Sequence, residues 1–119
     1  MAGSIFYVFE LAIKEGQLDT FRTLMGEMVE ATWASEPNTL GYEWFISPDG
    51  KICHSCERYK DSAAVMTHMK NVGGRFGQRL FAAAEPKRLV VCGNADDEVR
   101  ATFASLDPIY LETAAGFTR

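Results

Sequence analysis

The sequence lacks the features that mark membrane, nucleic-acid-binding and secreted proteins. Its longest apolar segments are strand-sized, far short of the roughly 20 residues that a membrane-spanning helix needs. Lysine and arginine number 12 against 16 aspartates and glutamates, without a long basic run, so nucleic acid is not an expected partner. No charged and apolar leader precedes the first strand-like segment, which begins at Ile5. We therefore expect a cytoplasmic protein.

Cysteine is also scarce, and its spacing argues against a metal or redox site. Cys53 and Cys56 form a CxxC pattern, but they fall in a segment that reads as a strand. Side chains three positions apart in a strand point to opposite faces, and their Cα atoms lie roughly 10 Å apart, too far for a disulfide. The third cysteine, Cys92, is not part of a second CxxC pair, which a zinc site of this type would need in addition to Cys53 and Cys56. We predict three free thiols and no metal.

An alternation of strand and helix patterns fills the chain. Apolar residues at three- and four-residue spacing indicate helices, and short apolar or aromatic runs indicate strands. The resulting order is βαββαβ with a short helix and strand appended, which predicts a single α+β domain of the ferredoxin-like class with its helices on one face of an antiparallel sheet. The domain spans residues 1–119, with a core at about 5–95 and an extension at 96–119. The predicted strands cover about 5–13, 41–46, 51–59, 87–93 and 109–113, and the helices about 17–35, 62–71, 75–84 and 97–106, with Gly73 and Gly74 ending the second helix.

The hairpin between the second and third strands predicts a register. Pro48-Asp49-Gly50 suits a three-residue loop with Gly50 in the left-handed conformation, which pairs Ser47 with Lys51. Both sheet faces then carry aromatic or apolar residues, so helices should cover one face and a second subunit the other. Under this register one face holds Tyr42, Trp44, His54, Cys56 and Arg58, with Trp44 opposite His54, and the other holds Glu43, Phe45, Cys53, Ser55, Glu57 and Tyr59.

The segment that follows the hairpin resembles the antibiotic biosynthesis monooxygenase family. The family pattern is a glutamate, one residue, an aromatic residue, an acidic or polar helix cap, and a histidine on the second helix. Glu57, Tyr59, Asp61 and His68 fill these positions, and Phe76 fits an apolar position downstream. The resemblance covers about residues 5–95. It implies a dimeric α+β barrel, in which two ferredoxin-like sheets face each other across the subunit interface.

The activity that the resemblance implies is oxygenation of an aromatic or quinol-like small molecule without a metal or a bound cofactor. Such an enzyme needs an apolar pocket and a proton acceptor. His68 suits the role of catalytic base because the ordinary pKa of histidine lies near neutrality. Trp44, Tyr59 and Phe76 are the expected substrate-binding residues, since aromatic side chains stack on flat rings. Residues 5–13 contain no asparagine, and no tryptophan or histidine follows His68, so the haem-degrading branch of the family is disfavoured.

Two other functions stay open on the sequence. One is a non-catalytic small-molecule-binding or stress-response protein on the same dimeric barrel, and the other is a purely structural dimerisation domain. An apolar cavity that contains His68 separates the enzyme and the binding protein from the structural domain. Oxygen consumption then separates the enzyme from the binding protein.

Overall fold

A computed structural model describes residues 3–119 as a five-stranded sheet with its helices on one face. Residues 1 and 2 lie outside the described residues. The expectation that no leader precedes the first strand rests partly on them. The strands are β1 (Ile5–Ile13), β2 (Thr39–Ile46), β3 (Ile52–Tyr59), β4 (Ala84–Cys92) and β5 (Ile109–Leu111), and the α-helices are α1 (Leu18–Ser35), α2 (Ser62–His68), α3 (Gly74–Ala83) and α4 (Asp97–Phe103).

The sheet has the strand order β2-β3-β1-β4-β5, so β1 lies at its centre. β1 pairs antiparallel with both β3 and β4, and β5 joins the far edge parallel to β4. The odd-numbered residues of β1, from Ile5 to Ile13, are buried against the helices, while the alternate residues are half-buried on the other face. This period of two is what a strand imposes on its side chains. The predicted ferredoxin-like α+β fold is confirmed.

The predicted hairpin register is wrong by one residue. Trp44 lies opposite Ser55, and the loop contains Lys51 in addition to Pro48, Asp49 and Gly50. The physical reason is the Asp49 carboxylate, which accepts hydrogen bonds from the Ser47 hydroxyl at 2.7 Å and the Lys51 amide at 3.0 Å, and so holds Lys51 inside the turn. Gly50 adopts the predicted left-handed conformation, with φ of 74°.

The corrected register redistributes the side chains of β2 and β3. Tyr42, Trp44, Cys53, Ser55, Glu57 and Tyr59 share the face that packs on the helices, which we call the inner face, and Glu43, Phe45, His54, Cys56 and Arg58 share the outer face. A shift of one residue in the pairing moves every side chain of a strand to the opposite face of the sheet. The extra loop residue therefore places Tyr42 and Trp44, and not Phe45, on the same face as Glu57.

Gly73 and Gly74 do not end the second helix, contrary to the sequence prediction. Both residues keep right-handed helical dihedral angles, and a π-helical segment (Met69–Gly73) joins α2 directly to α3. Glycine commonly ends a helix by adopting the left-handed conformation, and neither residue does so. Single turns of π-helix occur frequently at functional sites.

The C-terminal segment packs on the domain. Asp96 caps α4, a short turn of 3₁₀ helix covers Ala104–Leu106, and β5 ends at Leu111 rather than at residue 113. β4 begins at Ala84, three residues before its predicted start. Among residues 3–119, no helix combines the length and the apolar character that crossing a membrane requires.

Candidate functional site

A cavity of about 240 Å³ lies between the inner face of the sheet and the helices. Its wall is mostly apolar, and every β-strand except β5 contributes to it. The side chains that set its chemistry are the aromatic residues Tyr7, Tyr42 and Trp44 and two ionisable residues, Glu57 and His68. A mostly apolar cavity with a few convergent polar groups is the usual form of a small-molecule site.

Glu57 is a buried carboxylate with three hydroxyl donors. Tyr7 and Tyr59 donate to its Oε1 atom at 2.6 and 2.5 Å, and Ser55 donates to Oε2 at 2.7 Å. The residue is only 4% exposed. A buried carboxylate requires such donors, because an uncompensated charge away from water is costly. β1 and β3 bring these groups together, since Tyr7 lies directly opposite Glu57 in the sheet.

His68 lies between Glu57 and a second buried carboxylate, Glu36. Its Nδ1 atom is 2.8 Å from Glu36 Oε1, and its Nε2 atom is 3.5 Å from Glu57 Oε1. Glu36 also accepts hydrogen bonds from Thr39 at 2.8 Å and from Asn71 at 2.6 Å. Because these contacts make Glu36 an acceptor, Nδ1 is the nitrogen that donates, which orients Nε2 towards Glu57.

Burial and the Glu57 charge act together on the tyrosines of the site. Burial raises the pKa of Tyr7, Tyr59 and Tyr42 above the ordinary value, and repulsion from Glu57 raises it further. The three phenols therefore stay protonated at neutral pH. At the Glu57 oxygens Tyr7 and Tyr59 act as hydrogen-bond donors and not as bases.

The aromatic rings form a continuous layer around the histidine. Tyr42 meets the His68 ring edge-on at a centroid distance of 5.0 Å, and Tyr59 lies 5.5 Å from the same ring. Trp44 contacts Tyr42 edge-on at 5.7 Å. Since rings separated by 4.5–7 Å attract one another in these orientations, the layer fixes the position of the imidazole.

The structure brings two of the four predicted site residues to the cavity wall. His68 and Trp44 line the cavity, whereas Tyr59 and Phe76 do not. Tyr59 is fully buried and reaches the site through Glu57, and Phe76 is 4% exposed beneath the Arg75 and Arg79 side chains. Both therefore lie outside the cavity wall, and their contact with a ligand stays a prediction.

Sequence reasoning missed Tyr7 and Glu36. Tyr7 carries the only hydroxyl in a strand whose other side chains, apart from Glu10, are apolar, and a buried hydroxyl in a central strand needs a hydrogen-bond partner. Glu36 gives no such signal, because it looks like any acidic residue that follows an exposed helix end. Glu57 was part of the family pattern, but the predicted register placed it with Glu43, which lies on the outer face instead.

The cysteines are free, as predicted, and they lie away from the site. Cys53 is buried on the inner face and Cys56 is half-buried on the outer face. Burial raises the pKa of the Cys53 thiol to about 12. Across residues 3–119 no cluster of three or more histidine, cysteine, aspartate or glutamate side chains has the arrangement of a metal site.

Comparison with known proteins identifies the family. The family profile described as antibiotic biosynthesis monooxygenase matches residues 4–85. The chain belongs to the antibiotic biosynthesis monooxygenase family. No curated protein sequence matches the chain.

Several solved structures share this fold. MupZ from Pseudomonas fluorescens superposes with a TM-score of 0.85 at 24% identity, over 98% of this chain and 95% of MupZ. A variant of SnoaB from Streptomyces nogalater, described as a cofactor-independent oxygenase, gives a TM-score of 0.64 at 14% identity, over 76% of this chain and 91% of SnoaB. A conserved protein from Methanosarcina mazei gives 0.66 at 17% identity, over 74% of this chain and 89% of its own.

Proposed function

We propose that this protein is a cofactor-independent monooxygenase that acts on an aromatic or quinol-like small molecule. The observation that carries the proposal is a buried histidine, His68, on the wall of an apolar cavity between two carboxylates. Membership of the antibiotic biosynthesis monooxygenase family supports it, as does the shared fold with SnoaB, which is described as a cofactor-independent oxygenase.

In this proposal His68 removes the hydroxyl proton of the substrate. Glu36 holds Nδ1, so Nε2 is the nitrogen that accepts the proton. The imidazolium that forms lies between Glu36 and Glu57, and both negative charges stabilise it. Tyr7 and Trp44 supply aromatic surface against which a flat ring can pack.

The deprotonated, electron-rich ring then passes electrons to molecular oxygen. For a hydroxylated arene the balanced reaction is one arene and one O₂ giving one quinone and one water. One oxygen atom forms the new carbonyl, and the other leaves as water with the ring hydrogen and the hydroxyl proton. The ring supplies all the electrons, so the protein has to bind the substrate, exclude water and let the hydroxyl proton and the ring proton reach the departing oxygen atom.

Oxygen consumption with hydroxylated naphthalenes tests the proposal. His68→Asn removes the base but keeps a polar side chain, and we expect turnover to fall by about 10²–10⁴-fold. His54→Asn is the matched control, because His54 is the other histidine of the chain and lies on the outer face. Equal turnover in the wild type and His68→Asn, with both folded, would remove His68 from the mechanism.

A specific observation also favours the second candidate function, a non-catalytic small-molecule-binding protein. A histidine held by Glu36 and facing Glu57 is also the arrangement of a static buried ion pair. A binding protein would take up the same aromatic alcohols without consuming oxygen. Titration calorimetry and an oxygen electrode, used on the same samples, distinguish the two functions.

We further propose that the protein is a homodimer that pairs through the outer face of the sheet. Phe45, Ile52 and Leu111 lie on that face and are 54%, 37% and 50% exposed. Apolar side chains exposed on a sheet face are typical of an interaction surface. Phe45→Glu should shift the protein to monomer in size-exclusion chromatography with light scattering. A wild-type monomer at micromolar concentration would contradict the proposal.

The cytoplasmic location remains a prediction.

A further inference from the structure

Part of the cavity wall comes from a segment outside the family match. The family profile ends at residue 85, before α4 begins at Asp97. α4 and the 3₁₀ turn that follows it contribute four residues to the wall: Thr102, Phe103, Ser105 and Leu106. We call residues 97–106 the C-terminal wall.

The C-terminal wall is fixed at both of its ends. At its start, the Asp96 amide donates to the Ser62 hydroxyl at 3.0 Å, and the Asp96 carboxylate accepts from the Val99 amide at 2.9 Å. Val99 is fully buried. After the wall, β5 pairs with β4, and the Arg100 guanidinium lies 4.1 Å from the centre of the Tyr110 ring. A wall anchored in this way has a defined shape towards the cavity.

Phe103 brings the C-terminal wall into contact with the polar part of the site. Its ring meets Tyr7 edge-on at a centroid distance of 5.5 Å, and Tyr7 donates the hydrogen bond to Glu57. Phe103 is 4% exposed, so its side chain is held by packing. A ligand that approaches Glu57 and His68 therefore has its extent limited by this ring.

We propose that the C-terminal wall, chiefly through Phe103, determines the size of ring system that the cavity accepts. The inference rests on the proposed function in that it takes aromatic alcohols as the ligand class. The cavity of about 240 Å³ equals the volume of roughly eight water molecules at ~30 Å³ each, which suits a ligand of one or two fused rings. A larger ring system meets Phe103 and Leu106.

Anaerobic titration calorimetry with phenol, naphthol and phenanthrol tests this specificity role. Because no turnover occurs without oxygen, the measurement is independent of whether the protein is an oxygenase. The wild type should bind naphthol more tightly than phenanthrol. Phe103→Leu and Leu106→Ala should each shift the affinity ratio towards phenanthrol by about tenfold, within the 10–200-fold range that one methylene in a pocket gives.

Phe117→Leu is the matched control for Phe103→Leu. Phe117 is 82% exposed and does not line the cavity, so its substitution should leave the ratio unchanged. If Phe103→Leu does not fold, Leu106→Ala decides the question. An unchanged ratio in the folded wall variants, an equal change in Phe117→Leu, or no binding of any of the three alcohols would overturn the proposal. Failure of oxygen turnover alone would refute the proposed function and leave the size selection standing.

Discussion

Gly77 offers a substitution in which helix stability and ligand binding should move in opposite directions. It lies inside α3 and lines the cavity, and a Cβ atom added there would meet no atom within 4 Å. Alanine is favoured over glycine in a helix interior by about 1 kcal/mol. A chain of 119 residues has an unfolding entropy of roughly 250 cal/mol/K at about 2.1 cal/mol/K per residue, so Gly77→Ala should raise Tm by about 4 °C.

The same methyl group should weaken binding. It enters open space beside the cavity, where a ligand would otherwise lie. One methylene in an apolar pocket changes discrimination by about 10–200-fold, so we expect the affinity for naphthol to fall by about tenfold or more. Calorimetric unfolding gives Tm, and anaerobic titration calorimetry gives the affinity.

Gly74→Ala is the matched control for Gly77→Ala. Gly74 is also helical and also has no atom within 4 Å of an added Cβ, but it is exposed and does not line the cavity. Gly74→Ala should raise Tm by a similar amount and leave the affinity for naphthol unchanged. A lower Tm in Gly77→Ala, or unchanged binding alongside the higher Tm, would refute the reasoning.

Three further predictions concern the buried ionisable groups. Glu36→Gln removes the charge that holds His68 Nδ1, which should cost about 1.5–3 kcal/mol of unfolding free energy and reduce turnover; unchanged denaturation midpoints would contradict it. Burial and the Glu57 charge raise the pKa of Tyr7 and Tyr59, so above about pH 10 the folded protein keeps protons that the unfolded chain loses. The free energy of unfolding should therefore fall as the pH rises above about 10. Urea titrations should show a smaller fall in Tyr7→Phe than in the wild type. Cys53, whose pKa burial raises to about 12, should react with iodoacetamide at about pH 8 only on unfolding, and mass spectrometry that finds it modified in the folded state would refute this.

The element order could be predicted from the sequence because strand and helix periods are local. The apolar run of β1 and the apolar stripe of α1 need no tertiary information, and both match the structure closely. The hairpin register failed because it depends on one side-chain contact, from Asp49 to the Lys51 amide. The helix continued through Gly73 and Gly74 because packing of Val72 and Phe76 on the core outweighs the low helix propensity of glycine.

The candidate site could be predicted only in part. His68 and Trp44 were identified from residue type and the family pattern, and both line the cavity. Glu36 could not be found, because its contact with His68 joins residues 32 positions apart and depends on the tertiary fold. Tyr59 was expected to contact the substrate, but residue type alone could not show that its hydroxyl donates to the Glu57 carboxylate.

The central claim is that the protein transfers one atom of molecular oxygen to an aromatic substrate without a cofactor. Its most direct test is turnover of a hydroxylated naphthalene under isotopically labelled oxygen gas, with the product analysed at once by mass spectrometry. The account predicts one labelled oxygen atom in each quinone and the loss of this product in His68→Asn. A product without the label, or hydrogen peroxide formed in equal amount to the quinone, would contradict it.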